Sequence, residues 1–234
     1  VKIISSFKTD AAKIKGLDKI SSDDEVYKVK VIKSFKTDAA KILGLNKLDE
    51  WWYKAEVISS FKTDTLKLLY LDKLDDSDKV RIISSFETDD AKIKGLDKLD
   101  DSDKVKIISS FKTDDAKIKG LDKISSEGCK ANVIRSFKTD ALKLQNLNKL
   151  QFDYPKAKVI SSFETDALKI LSLDKLTDES CKAEVISGFE TDALKILNLD
   201  KLTNDYNKAQ VISSFKTDSL KIRNLDKLMD DYYK

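Results

Sequence analysis

The side chains that most often carry chemistry are sparse in this chain, and histidine is missing altogether. Its absence removes the commonest general base, the commonest transition-metal ligand and every Ser-His or Cys-His pairing. No titratable pair stands out as acid and base, so neither a catalytic residue nor a cofactor is expected. Asp clusters such as Asp75-Asp76-Ser77-Asp78 could suggest Ca²⁺, but they lack the Gly and the distal Glu of an EF-hand loop. They stand where a helix N-cap is due, and capping is the better account. Cys129 and Cys181 sit in the same register, each eight residues before a recurrent Phe and two repeats apart. Stacked helices stand about 8 to 10 Å apart, which sets these thiols on the order of 20 Å from each other, against about 6 Å between the Cα atoms of a disulfide. They read as free thiols and lean towards a reducing compartment, as does the lack of an N-x-S/T sequon.

The elements that must position these groups come from a repeat. Phe7, Phe35, Phe61, Phe86, Phe111, Phe137, Phe163, Phe189 and Phe215 each precede Lys or Glu and then Thr-Asp, which defines nine copies of about 26 residues spanning 1–234 as one array. Positions are counted below from this Phe, so that +10 is ten residues after it. A Leu follows at +10 and a Leu or Ile at +13 in every copy, and all variation in length falls between +13 and the next Phe. That variable segment is expected to be the surface loop.

Within a copy, apolar residues at −6, −4 and −3 give one face of a short helix, although their β-branching would also suit a strand. Thr-Asp then caps a second helix. Position +9 is Gly16, Gly44, Gly95, Gly120, Asn146, Asn198 or Asn224, with Tyr70 and Ser172 as exceptions. These are expected to end that helix in the left-handed conformation, with the Leu at +10 packing back as in a Schellman motif. The fold class expected is all-α, a solenoid of helix-turn-helix repeats. A leucine-rich repeat is the structural rival, because Leu66-Lys67-Leu68-Leu69-Tyr70-Leu71 resembles its L-x-x-L-x-L. That fold would bury position +8, where this chain has Lys15, Lys94, Lys119, Gln145 and Arg223 as well as Leu43, Leu69, Leu171 and Leu197.

The pattern F-x-T-D, an apolar helix and a Gly or Asn stop with Leu-Asp resembles the short tandem α-hairpin repeats of a family known only as a domain of unknown function. The resemblance covers all nine copies; it implies a fold and supplies no activity.

Lys plus Arg (44) nearly balances Asp plus Glu (41), with signs interspersed along the chain. Lys recurs at +6 and +12 in every copy, forming two cationic ladders that a polyanion or nucleic acid could follow. Asp at +3, and Asp or Asn at +11, should neutralise much of each ladder, so nucleic acid is not the expected partner. No apolar run is long enough to span a bilayer. Both ends, Val1-Lys2-Ile3-Ile4 and Tyr232-Tyr233-Lys234, fall in mid-pattern, as in a fragment of a longer array or a chain that stacks head to tail.

Aromatics supply the one feature that differs from copy to copy. Six of the seven Tyr, both Trp and the stray Phe lie in variable segments. Trp and Tyr are enriched in interaction hot spots, so Trp51, Trp52, Tyr53, Phe152 and Tyr154 are the candidate contacts. The expected role is a non-catalytic repeat scaffold that binds a protein or a further copy of itself.

Overall fold

The computed structural model describes residues 1–234, and it is all-helical, with eighteen α-helices arranged as repeated helix-turn-helix pairs. No strand is present, which overturns the leucine-rich-repeat alternative: its parallel sheet needs a strand in every copy. The chain forms two compact units, Val1–Lys123 and Ile124–Lys234, and each is described by itself.

Unit 1 holds five copies: α1 (Lys2–Ser5) with α2 (Asp10–Leu17), α3 (Glu25–Lys33) with α4 (Asp38–Leu45), α5 (Trp51–Ser59) with α6 (Asp64–Tyr70), α7 (Asp76–Ser84) with α8 (Asp89–Gly95), and α9 (Asp101–Ser109) with α10 (Asp114–Leu121). Unit 2 holds four: α11 (Glu127–Arg135) with α12 (Asp140–Asn146), α13 (Asp153–Ser161) with α14 (Asp166–Ser172), α15 (Glu179–Ser187) with α16 (Asp192–Leu197), and α17 (Asp205–Ser213) with α18 (Asp218–Arg223). Within each unit, first helices of successive copies pack side by side, as α3 does on α5 and α15 on α17.

From the second copy onward the first helix runs from −10 to −2, well into the segment expected to be loop. A side-chain cap at −11 starts the longer helix in several copies, as where Asp75 accepts from the Asp78 N–H at 2.7 Å and Asp178 from the Cys181 N–H at 3.0 Å, whereas Glu50 and Phe152 stand at −11 of α5 and α13 without one. The same geometry makes the Asp75 cluster a helix start. The β-branched pairs at −4 and −3, such as Val57-Ile58 and Ile82-Ile83, are wholly buried, and this packing outweighs their weak helix propensity. Thr at +2 caps the second helix, as where Thr37 accepts from the Ala40 N–H at 3.2 Å.

Position +9 behaves differently from expectation, because no residue in the chain has a positive φ. The glycines lie in right-handed helix, and closeness of approach is what selects them. A Cβ on Gly44 would stand 2.8 Å from Cγ2 of Ile32, and one on Gly95 or Gly120 would meet Ile83 or Ile108 equally closely. Where the residue is Asn, its amide folds back onto its own helix, Asn198 donating to the Leu194 carbonyl at 2.8 Å.

Candidate interaction surfaces

Two sets of polar side chains hold each copy to the next, and they decide which residues remain available to a partner. The first is the Asp at +3 with the Lys at +6. Asp10 accepts from the Lys36 and Thr37 N–H groups, and Lys13 donates to the Ser34 carbonyl at 2.8 Å. In unit 2, Asp140 accepts from the Glu164 N–H while Lys143 donates to the Ser162 carbonyl at 3.0 Å. The orphan backbone groups beside the repeat Phe are thereby satisfied from the preceding copy. Burial pushes the Asp10 carboxyl up, but the Lys36 and Thr37 N–H groups outweigh it and hold it below its ordinary range. Lys41 is held low by burial in spite of the Asp38 carboxylate beside it. The second set is a carboxylate at −10. Glu25 accepts from the Asp49 and Glu50 N–H groups. Glu179 accepts from the Thr203 hydroxyl and the Thr203 and Asn204 N–H groups, which lower it to about 2.

These contacts rewrite the cationic ladders. Lys13, Lys41, Lys67, Lys117, Lys143, Lys169 and Lys195, all at +6, are buried rather than displayed. Where the preceding copy carries Asp at +11, the +12 lysine pairs with it instead of its own neighbour, as Lys47 does with Asp18 at 2.8 Å, Lys98 with Asp72 at 2.8 Å, and Lys201 with Asp174 at 3.4 Å; before Lys73 and Lys175 that position is Asn46 and Asn148.

Trp51, Trp52 and Tyr53 form the first turn of α5 in unit 1. Trp51 stands at −10, the position that carries Asp or Glu in every other copy from the second to the ninth. An indole, 42% exposed, has therefore replaced an acid at the position from which Glu25 holds the next copy. Lys54 lies over its ring at 4.5 Å and Lys73 at 6.0 Å, in a shallow groove of about 190 Å³ that also includes Leu45 and Tyr70. Trp52 is 59% exposed and packs edge-on against the half-buried Tyr53, with centroids 5.5 Å apart. Val26 and Tyr27, on the first turn of the adjacent α3, are exposed as well, and Val26 occupies the same register as Trp52.

Phe152 and Tyr154 belong to unit 2, at the N-cap and first turn of α13, and both are exposed. Lys158 lies over the Tyr154 ring at 5.0 Å and pairs with Glu184 at 2.7 Å. Beside them is a groove of about 250 Å³ that includes Ala131, Arg135 and Pro155. Cys129 and Cys181 are free thiols, Cys181 buried and pushed up to about 11, chiefly by that burial.

A second surface was present in the sequence and not recognised as one. Leu43, Leu69, Leu171 and Leu197, all at +8, are exposed. The signal was the column itself, since a position that also takes Lys, Gln and Arg must face solvent. Its Leu pairs fall in adjacent copies, Leu43 with Leu69 in unit 1 and Leu171 with Leu197 in unit 2.

No helix is long and apolar enough to cross a membrane. Neither a protein-family profile, nor a curated protein, nor a solved structure matches the chain.

Proposed function

We propose that this is a non-catalytic repeat scaffold that binds a protein through the aromatic turn of α5, with Trp51 and Trp52 as anchors. The supporting observation is the exchange at −10, where a position otherwise acidic carries an exposed indole instead. A ring of that size, two lysines over its face and a second exposed Trp beside it make a compact hot spot of the kind protein partners bury. Phe152 and Tyr154 would serve unit 2 in the same way. Polyanion binding is disfavoured, because most of the +6 lysines are buried and several of the +12 lysines are paired with carboxylates.

The test is quantitative co-purification with the wild-type chain and with W51A/W52A, checking helicity of both by circular dichroism. The expected result is a partner recovered with the wild type and lost from the variant at unchanged helicity. Equal recovery with both overturns the reading. So would recovery dominated by nucleic acid that falls steeply between about 50 and 200 mM salt.

A further inference from the structure

Two columns of the repeat change together. Position +8 carries Leu in only four copies, and these fall in two adjacent pairs: Leu43 with Leu69, on α4 and α6 of unit 1, and Leu171 with Leu197, on α14 and α16 of unit 2. All four are 57 to 74% exposed. One turn earlier, at +4, stand Ala39, Thr65, Ala167 and Ala193, which are exposed and small enough to let another surface approach closely. Half-buried +7 residues, Ile42 with Leu68 and Ile170 with Ile196, extend each pair into a patch.

Other copies show what this face can carry instead. In α8 and α10 the +4 and +8 positions are Asp90 with Lys94 and Asp115 with Lys119, and Lys119 pairs with Asp90 at 3.6 Å. A charged, solvated face therefore suits the repeat, and leucine at +8 is not required by the fold.

Position +1, at the N-terminal end of the same helices, gives the two patches opposite signs. Lys36 and Lys62 accompany Leu43 and Leu69, whereas Glu164 and Glu190 accompany Leu171 and Leu197, and all four charged residues are exposed. Within each unit the two Leu are 26 residues apart, and so are the two charges, so one pattern occurs twice with its sign reversed. The +12 lysines are common to both patches and discriminate nothing.

We infer that the Leu43–Leu69 face of one molecule packs on the Leu171–Leu197 face of a second molecule of this chain, with Lys36 and Lys62 set against Glu164 and Glu190. Turning one face onto the other with the helices running the same way reverses the order of copies. Leu43 then meets Leu197 and Leu69 meets Leu171, while Lys36 meets Glu190 and Lys62 meets Glu164. In that register a face meeting its own kind would oppose Lys to Lys or Glu to Glu, so the charges select the unlike face. A foreign partner would need a separate surface for each sign; a second copy supplies both. Four leucines make a small contact, so the association is weak and salt-sensitive. This inference goes beyond the scaffold reading and uses a surface that includes none of the Trp51–Tyr53 residues.

Sedimentation velocity of the 234-residue chain, from low to high micromolar concentration at about 50 mM salt, tests it. The wild-type mass should rise with concentration. K36E/K62E makes both faces acidic and E164K/E190K makes both basic; position +1 takes either residue across the copies, so the fold is kept. Each variant alone should associate about tenfold more weakly than the wild type, and an equimolar mixture of the two should regain association. L43Q/L69Q, which places at +8 the residue found at Gln145, should weaken it as much. W51A/W52A should associate like the wild type, which separates this contact from the aromatic surface. A wild-type mass that stays monomeric throughout, a mixture no more associated than its components, or association that L43Q/L69Q leaves intact would overturn the inference. So would a monomeric wild type from which L43Q/L69Q removes a co-purifying protein, because the face would then belong to a foreign partner.

Discussion

The Lys195 ammonium donates to the Ser214 carbonyl at 2.9 Å, so that one copy satisfies the frayed end of a helix in the next. Lys195→Met removes the donor and leaves that carbonyl and the buried Asp192 without their cation. A loss of about 3 kcal/mol is expected, as for a buried pair broken on one side. Lys221→Met, the same substitution at an exposed pair, should cost less than about 1 kcal/mol. Urea unfolding followed by circular dichroism separates the two, and equal shifts would mean that the inter-copy bond carries no stability.

Glycine at +9 gives a prediction whose sign depends on position. Gly44→Ala gains about 1 kcal/mol of helix propensity, but its Cβ would press on Ile32, and overpacking of a closed core costs about 1 to 3 kcal/mol. Net destabilisation follows, and Ile32→Val in the same chain should recover part of it. Gly128→Ala, also in a helix, meets nothing nearer than Oγ of Ser126 at 3.9 Å and should stabilise by about 0.5 kcal/mol. Thermal melts of the two variants should move in opposite directions.

Acid should weaken the bonds between copies. Thr203 and Asn204 hold Glu179 at about 2, whereas an unfolded Glu titrates near 4.5. The unfolded chain takes up the proton first, so this stabilisation is complete above about pH 4.5 and is lost as the pH falls towards 2. Glu179→Gln should cost about 1 kcal/mol at pH 7, after allowance for solvent screening, and nothing at pH 2. A wild-type-minus-variant difference that persists at pH 2 would contradict this.

The two thiols should be distinguishable by alkylation. Burial raises Cys181 to about 11, so at pH 8 iodoacetamide should modify Cys129, which is partly exposed, well before Cys181. Peptide mass spectrometry in native buffer and in urea reads the order, and simultaneous modification in native buffer would contradict it.

Helix-turn-helix order, the Thr caps and the Phe, Leu and Ile core were legible in the sequence because each follows from local spacing. Gly44 was read correctly as special and for the wrong reason: spacing locates a glycine near a helix end, but the approach of Ile32 from another helix has no local trace. The lysines at +6 misled in the same way. Lys13, Lys41, Lys143 and Lys195 each donate to a backbone carbonyl 21 or 19 residues ahead, and a carbonyl leaves no letter in a sequence. Aromatic type in a variable segment makes Trp51 and Trp52 candidate contacts, but their place on the first turn of α5 is not legible, because variation in length points to a loop. The exposed Leu43 and Leu69 could have been inferred from their column, and only their neighbours across copies give it away.

Inside each unit the bonds from +3, +6 and −10 all point the same way, from an earlier copy to a later one. That polarity matters during synthesis, when copies leave the ribosome in order. Inside a unit, an emerging first helix finds its donors and acceptors already built on the copy before it, so that each copy is a template for its successor. Arrest-sequence force profiling should then show a pulling event with each completed copy, and one late event for a whole unit would argue otherwise.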